Sequence, residues 1–190
     1  MPAVFDNAAV FVISTIFDLY TTLLMVRLIL ALVHANYFDP ITQFIAKLTN
    51  PIIKPLRKIL PNIRNLEIST VCVIVLLEII KFTFIILLTY GMANIVGLIV
   101  LSLGDGIKLF LQIFFYAIII QALLSFIQPY SPFNQSLRAV TQPILQPFQR
   151  IIPLISGIDI SPIPALLTLQ LLILLIATPI ITFGVGMAVT

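Results

Sequence analysis

Four ionisable residues, Asp18, Arg27, Glu78 and Lys81, sit inside long apolar runs of this chain. Charged groups in hydrocarbon are costly, so they pair with one another or line a wet path for ions or protons. Asp18 and Arg27 are nine residues apart, about half a turn out of phase at 3.6 residues per turn, and make poor partners for each other. Counted from the basic ends of their segments, Arg27 lies roughly 9 Å deep and Glu78 roughly 15 Å, while Asp18 and Lys81 both lie roughly 20 Å deep. Sign and depth therefore predict two cross-helix pairs, Arg27 with Glu78 and Asp18 with Lys81. Later in the chain Gln121 stands for Arg27 and Gln170 for Glu78, so both sides of the first pair change together. Contacting positions behave in this way, and Gln121 with Gln170 is the pair expected there. Because the later copy has lost its charges, structural pairing is preferred to an ion or proton pathway.

Other chemistry finds little support. His34 and Cys72 are the only histidine and cysteine, and one of each cannot build a metal site. No glycine-rich phosphate loop, nucleophile elbow or catalytic triad is present. No catalytic residue, metal or cofactor is expected, and no nucleic-acid partner. Asp159-Ile160-Ser161-Pro162 reads as a helix start, with Asp159 or Ser161 as cap and Pro162 in the first turn.

The elements that must position these residues belong to a membrane. Charged residues make up 9% of the chain and hydrophobic ones 61%, against about 25% charged in a soluble domain. Apolar runs of about 18 or more residues mark membrane helices, and four are expected, at about 9–33, 68–90, 107–127 and 164–183. The apolar part of 91–106 is too short to span by itself, and Pro179 marks a kink or an early end in the last run.

Thr49-Asn50-Pro51-Ile52-Ile53-Lys54-Pro55-Leu56-Arg57-Lys58-Ile59-Leu60-Pro61 is followed by Leu66-Glu67-Ile68-Ser69. Ninety-two residues later come Thr141-Gln142-Pro143-Ile144-Leu145-Gln146-Pro147-Phe148-Gln149-Arg150-Ile151-Ile152-Pro153 and then Ile158-Asp159-Ile160-Ser161. Pro51, Pro55 and Pro61 thus align with Pro143, Pro147 and Pro153. A repeat of this kind sets the architecture: a first unit over 1–92 with its motif at 41–61, a connection at 93–106, and a second unit over 107–190 with its motif at 133–153. The motif segments are amphipathic. Pro51 and Pro55 predict that the first is split into two short helices lying in the interface.

Seven of the ten Lys and Arg fall in these segments, namely Lys47, Lys54, Arg57, Lys58, Arg64, Arg138 and Arg150. The positive-inside rule then puts both motifs in the cytoplasm and both termini on the periplasmic side, so the repeats are parallel. Lys47, Lys54, Arg57, Lys58, Arg138 and Arg150 are expected to meet anionic lipid headgroups or a protein partner.

At these motifs the chain resembles the YggT family of small bacterial inner-membrane proteins. The family pattern runs Thr-x-Pro-Ile-Leu-x-Pro-hydrophobic-Arg-Arg-Ile-hydrophobic-Pro, then Gly-hydrophobic-Asp-hydrophobic-Ser-Pro. Thr141 to Pro153 with Gly157 to Pro162 fits it, with Gln149 in place of the first Arg. Thr49 to Pro61 fits too, with Asn65, Glu67 and Thr70 where Gly, Asp and Pro are expected. Arg27 matches an arginine late in the family's first span. The resemblance implies a duplicated all-α inner-membrane protein of about four spans. It also implies a non-enzymatic assembly or organising role connected with osmotic or extracytoplasmic stress, through a membrane-protein partner not identified by sequence. The alternative is a potassium or proton channel or carrier subunit acting as a homo-oligomer.

Overall fold

The computed structural model describes residues 2–35, 39–58, 60, 66–128, 131–152 and 159–189. Among the described residues are seven α-helices: α1 (Pro2–Leu32), α2 (Pro40–Arg57), α3 (Ile68–Tyr90), α4 (Ile95–Ile127), α5 (Pro132–Ile151), α6 (Pro162–Leu172) and α7 (Thr178–Val189). A π-turn, Ile173–Ala177, joins α6 to α7 into one rod. Four helical segments are long and apolar enough to cross a membrane: Asn7–Leu32, Ile68–Tyr90, Ile95–Ser125 and Pro162–Val189. In lipid every backbone polar group needs an internal partner, which long helices supply. The chain is a multi-pass, all-α membrane protein built as span–interfacial helix–span, twice over.

Two spans are longer than the apolar runs suggested. The segment 93–106, expected as a connection, is helical from Ile95 onward and forms the first third of α4. Asn94 starts it, its side chain accepting a hydrogen bond from Val96 N at 3.0 Å. Gly104-Asp105-Gly106 resembles a break in sequence, yet a glycine here serves packing. A Cβ at Gly104 would lie 2.9 Å from the side chains of Ile180 and Ile181, and one at Gly97 only 2.1 Å from Ala188 N. A Cβ at Gly184 would likewise approach Leu101 N to 2.5 Å. Small residues let two membrane helices approach closely, and here they bring α4 and α7 to backbone contact, with Asn94 N donating to Ala188 O at 3.0 Å. The last span also outruns its expected end at 183. Pro179 does not stop it, because the π-turn just before it absorbs the missing N–H, with Thr178 Oγ1 donating to Ile173 O at 3.0 Å.

The interfacial helices differ from expectation as well. Pro51 and Pro55 lie inside one continuous α2, and Pro143 and Pro147 inside α5. All four prolines are exposed. The carbonyls they strand, one turn earlier, open toward the outer side of each helix, where polar surroundings can satisfy them. Pro61 and Pro153 lie outside the described residues.

One core joins the two repeats at the end where α2 and α5 lie. Leu24 and Ile29 of α1, Ile53 of α2, Ile118 of α4, Leu145 of α5 and Ala165 of α6 are buried in it. A second, smaller cluster of Ile86, Leu98, Leu101 and Ala188 closes the opposite end. Leu167, Leu171 and Leu175, among many large apolar side chains, face outward as a lipid-facing surface requires.

Candidate functional site

The first polar cluster forms where α1, α2 and the start of α3 meet. Arg27 Nε lies 2.8 Å from Glu67 Oε2, and its Nη1 donates to Thr49 Oγ1 at 2.7 Å and to Asn50 Oδ1 at 2.9 Å. Arg57 Nη2 makes a second ion pair with Glu67, and Thr70 Oγ1 donates to Glu67 Oε2 at 2.7 Å. Burial alone would raise the Glu67 pKa, but the Arg27 and Thr70 hydrogen bonds and the two guanidinium charges hold it below its ordinary value. A small cavity of about 90 Å³ opens beside the pair, lined by Arg27, Glu67, Ala31, Ala35, Ala46 and the buried, unpartnered Thr42 hydroxyl among others.

This geometry corrects the expected pairing. Arg27 meets Glu67, not Glu78, because its long side chain reaches the span's end, where a charge pair is less costly than deeper in hydrocarbon. Glu67 was legible only as a motif position. Its signal was there: it stands one residue before the second span, at the place Asp159 holds in the later copy.

The second cluster lies deep between α1, α3 and α4. Lys81 Nζ is 2.8 Å from Asp18 Oδ1, 2.9 Å from Asp105 Oδ2 and 2.5 Å from Glu78 Oε2, and stands 4.4 Å from the centre of the Phe82 ring. Lys81 and Glu78 are 3% and 1% exposed, whereas 55% of the Asp18 side chain is open. The Glu78 contact is close but lacks hydrogen-bond geometry at Oε2. Asp105 went unrecognised because the Gly-Asp-Gly stretch read as a connection. Carboxylate oxygens of Asp18, Glu78 and Asp105 all lie within 4.8 Å of one another, a set able to hold a cation. The Lys81 ammonium already stands against all three, as a tethered cation.

The later copy is arranged differently. Gln121 is buried with its Oε1 unpartnered, Gln170 is exposed, and no hydrogen bond joins them among the described residues. Their expected pairing is not formed, since α6 turns Gln170 outward. Gln149 Nε2 donates to Asp159 Oδ2 at 2.9 Å, and Ser161 N donates to Asp159 Oδ1 at 2.9 Å. Ser161 is thus the N-cap position, Pro162 opens α6, and Asp159 holds the Ser161 N–H just before the helix. Burial would raise the Asp159 pKa, but its bonds to Ser161 and Gln149 and the charge of Arg138 bring it below the ordinary value. Across the repeats, Ser136 Oγ donates to Asp39 Oδ2 at 2.7 Å, tying α5 to the start of α2.

Three stripes divide the α2 surface. Thr42, Ile45, Ala46, Thr49 and Ile53 are buried against the spans. Phe44, Leu48 and Ile52, spaced by four, form an exposed apolar stripe. Lys47, Lys54 and Lys58 form an exposed basic one, with Arg57 beside it. The main apolar stripe therefore faces protein, and a second stripe is left for the bilayer. On α5, Arg138 and Arg150 are exposed among glutamines.

These features define a duplicated four-span membrane protein with a polar lock at the foot of its first repeat. The CCB3/YggT family model matches residues 7–88 and again 100–180, one match per repeat, and the chain belongs to that family. It is 34% identical to a Pseudomonas aeruginosa protein over 90% of this chain and 89% of that one. It is 35% identical to a Vibrio alginolyticus protein encoded in the proC 3' region, covering 86% and 90%. It is 30% identical to YggT of Escherichia coli K12, covering 87% of each. No solved structure matches.

Proposed function

We propose that this protein is a non-enzymatic organising factor of the bacterial inner membrane, with α2 and α5 on the cytoplasmic side and both termini periplasmic. The observation that carries the reading is the clamping of α2 by Arg27, which bridges Thr49, Asn50 and Glu67 while the basic and apolar stripes of α2 stay open. A rigid helix at the interface, with its free faces presented at fixed height, suits docking rather than chemistry. Lys47, Lys54, Arg57 and Lys58, joined by Arg138 and Arg150, would meet anionic headgroups, each contributing about 1 kcal/mol near the surface. Phe44, Leu48 and Ile52 would enter the acyl boundary or take up a membrane-protein partner. A part in osmotic or extracytoplasmic stress rests on the family resemblance alone. The positive-inside rule supports the orientation.

The test is site-specific photo-cross-linking from Lys47 and Lys54 positions in intact cells, before and after osmotic upshift, combined with liposome flotation. The reading expects defined protein adducts and binding to anionic vesicles that weakens when Lys47, Lys54 and Lys58 are all changed to Gln. Potassium or proton flux in liposomes that vanishes with Lys81→Met would instead make this a transport protein and sink the reading.

A further inference from the structure

Two charges in the spans stay open once the clusters are assigned, one a carboxylate that is only partly engaged and the other a cation without a partner among the described residues. Asp18 keeps 55% of its side chain open beside Lys81. Lys108, one turn beyond Asp105 on α4, is partly exposed and makes no ion pair or hydrogen bond among the described residues. It is the only Lys or Arg within the spans with no carboxylate partner there, since Arg27 has Glu67 and Lys81 has three. Asp18 and Asp105 touch the same ammonium and so share a depth. Lys108 lies three residues further on, about 4.5 Å along the helix, within the reach of a lysine side chain.

We infer that two copies of this chain pair along α1 and α4, with Lys108 of each copy meeting Asp18 of the other. The two open groups are opposite in sign and sit at nearly one depth. A two-fold axis along the membrane normal preserves depth and makes such a face complementary to itself. Lipid tails offer neither charge, and an unrelated partner would need both a cation and a carboxylate at this level. The second Lys108 also reduces the excess of three carboxylates over one ammonium in each cluster. Exposed Ile16 and Leu19 on α1 supply apolar surface beside Asp18. The contact forms whether or not α2 and α5 recruit other proteins.

The experiment uses full-length chains tagged with donor or acceptor fluorophores, mixed in liposomes over a range of protein-to-lipid ratios. Energy transfer should fall on dilution, and Lys108→Met should weaken association by roughly tenfold or more, because two symmetric polar contacts vanish together. Lys108→Arg should remain near wild type, and Lys108→Met touches no pair among the described residues of its own chain. A wild-type chain that shows only random transfer, or a Lys108→Met chain that associates as tightly as wild type, overturns the inference. A second arm leaves both charges intact. Copies carrying Thr15→Cys and Ile107→Cys, each with Cys72→Ser, should be joined in membranes by a short bifunctional thiol reagent. Adducts from Ile107→Cys to some other protein only would overturn it.

Discussion

The two repeats hold the same architecture together by different means. Twelve of the seventeen charged residues precede residue 93, and all seven glycines follow residue 90. At its foot the first repeat is tied by Arg27, Glu67, Thr49 and Asn50. In the second, Gln121 occupies the arginine's place with an orphaned oxygen, and the spans instead approach to backbone contact at Gly97, Gly104 and Gly184. Duplication preserved the helices and the proline motif, while the attachment of each interfacial helix diverged. In a bilayer the hydrophobic effect does not drive helices together, so polar contacts and close packing are the available devices. Each repeat relies chiefly on one of them.

The sharpest way to break this contrast is to remove the matched side chains. Arg27→Leu removes three charge-assisted hydrogen bonds and leaves Glu67 with only Arg57 and Thr70, a loss of about 3 kcal/mol given the strength of hydrogen bonds to charged groups. Gln121→Leu at the corresponding place removes a side chain whose Oε1 has no partner, so a change within about 1 kcal/mol of zero is expected. Reversible unfolding in mixed micelles would measure both. Equal losses would mean that the second repeat depends on polar contact as much as the first.

Close packing is tested next. Gly184→Ala sets a Cβ 2.5 Å from Leu101 N and 2.7 Å from its Cα, and overpacking of this kind costs about 1–3 kcal/mol. Gly106→Ala, also on α4 but with open space around it, should be neutral or stabilising by up to about 1 kcal/mol, from helix propensity. If both substitutions behave alike, close approach of α4 and α7 is not what holds the second repeat.

How much of this was readable beforehand follows from the same contrast. The spans, the repeat and the interfacial helices were legible because apolar runs and proline spacing are local patterns. Asp18 with Lys81 was legible because equal depth narrows the choice among few charges. Arg27 with Glu67 was missed because counting depth along a helix axis ignores how far an arginine extends. Asp105 and the outer part of α4 were hidden because glycine reads as a break in one dimension, whereas Gly104 exists to admit α7. Pro51 and Pro55 misled in the opposite way, since a stranded carbonyl is tolerable on an outward helix face and the sequence does not mark that face.

The acid limb of stability separates the two motif carboxylates. Glu67 has a folded pKa below its ordinary 4.5, so its contribution is fully present above that value and is lost as pH falls through the lower folded one. Glu67→Gln should cost about 2–3 kcal/mol at pH 7, as expected for hydrogen bonds to charged groups, and should flatten the decline of stability toward acid.

Asp159 should give the smallest effect. Its folded pKa also lies below its ordinary 3.8, so the sign is the same: stability held above that value and lost below it. Its surroundings differ, for it is exposed and its side-chain partner is the neutral Gln149 rather than a guanidinium. What it supplies is a cap at Ser161 N, so Asp159→Asn, which can still accept that bond, should cost only a few tenths of a kcal/mol. Stability of Asp159→Asn and Glu67→Gln measured from pH 7 down to the acid transition would compare them directly. A larger loss for Asp159→Asn would mean that the attraction of Arg138 for Asp159 outweighs the guanidinium pairs of Glu67, and the division between a charge-tied repeat and a packed one would fail there.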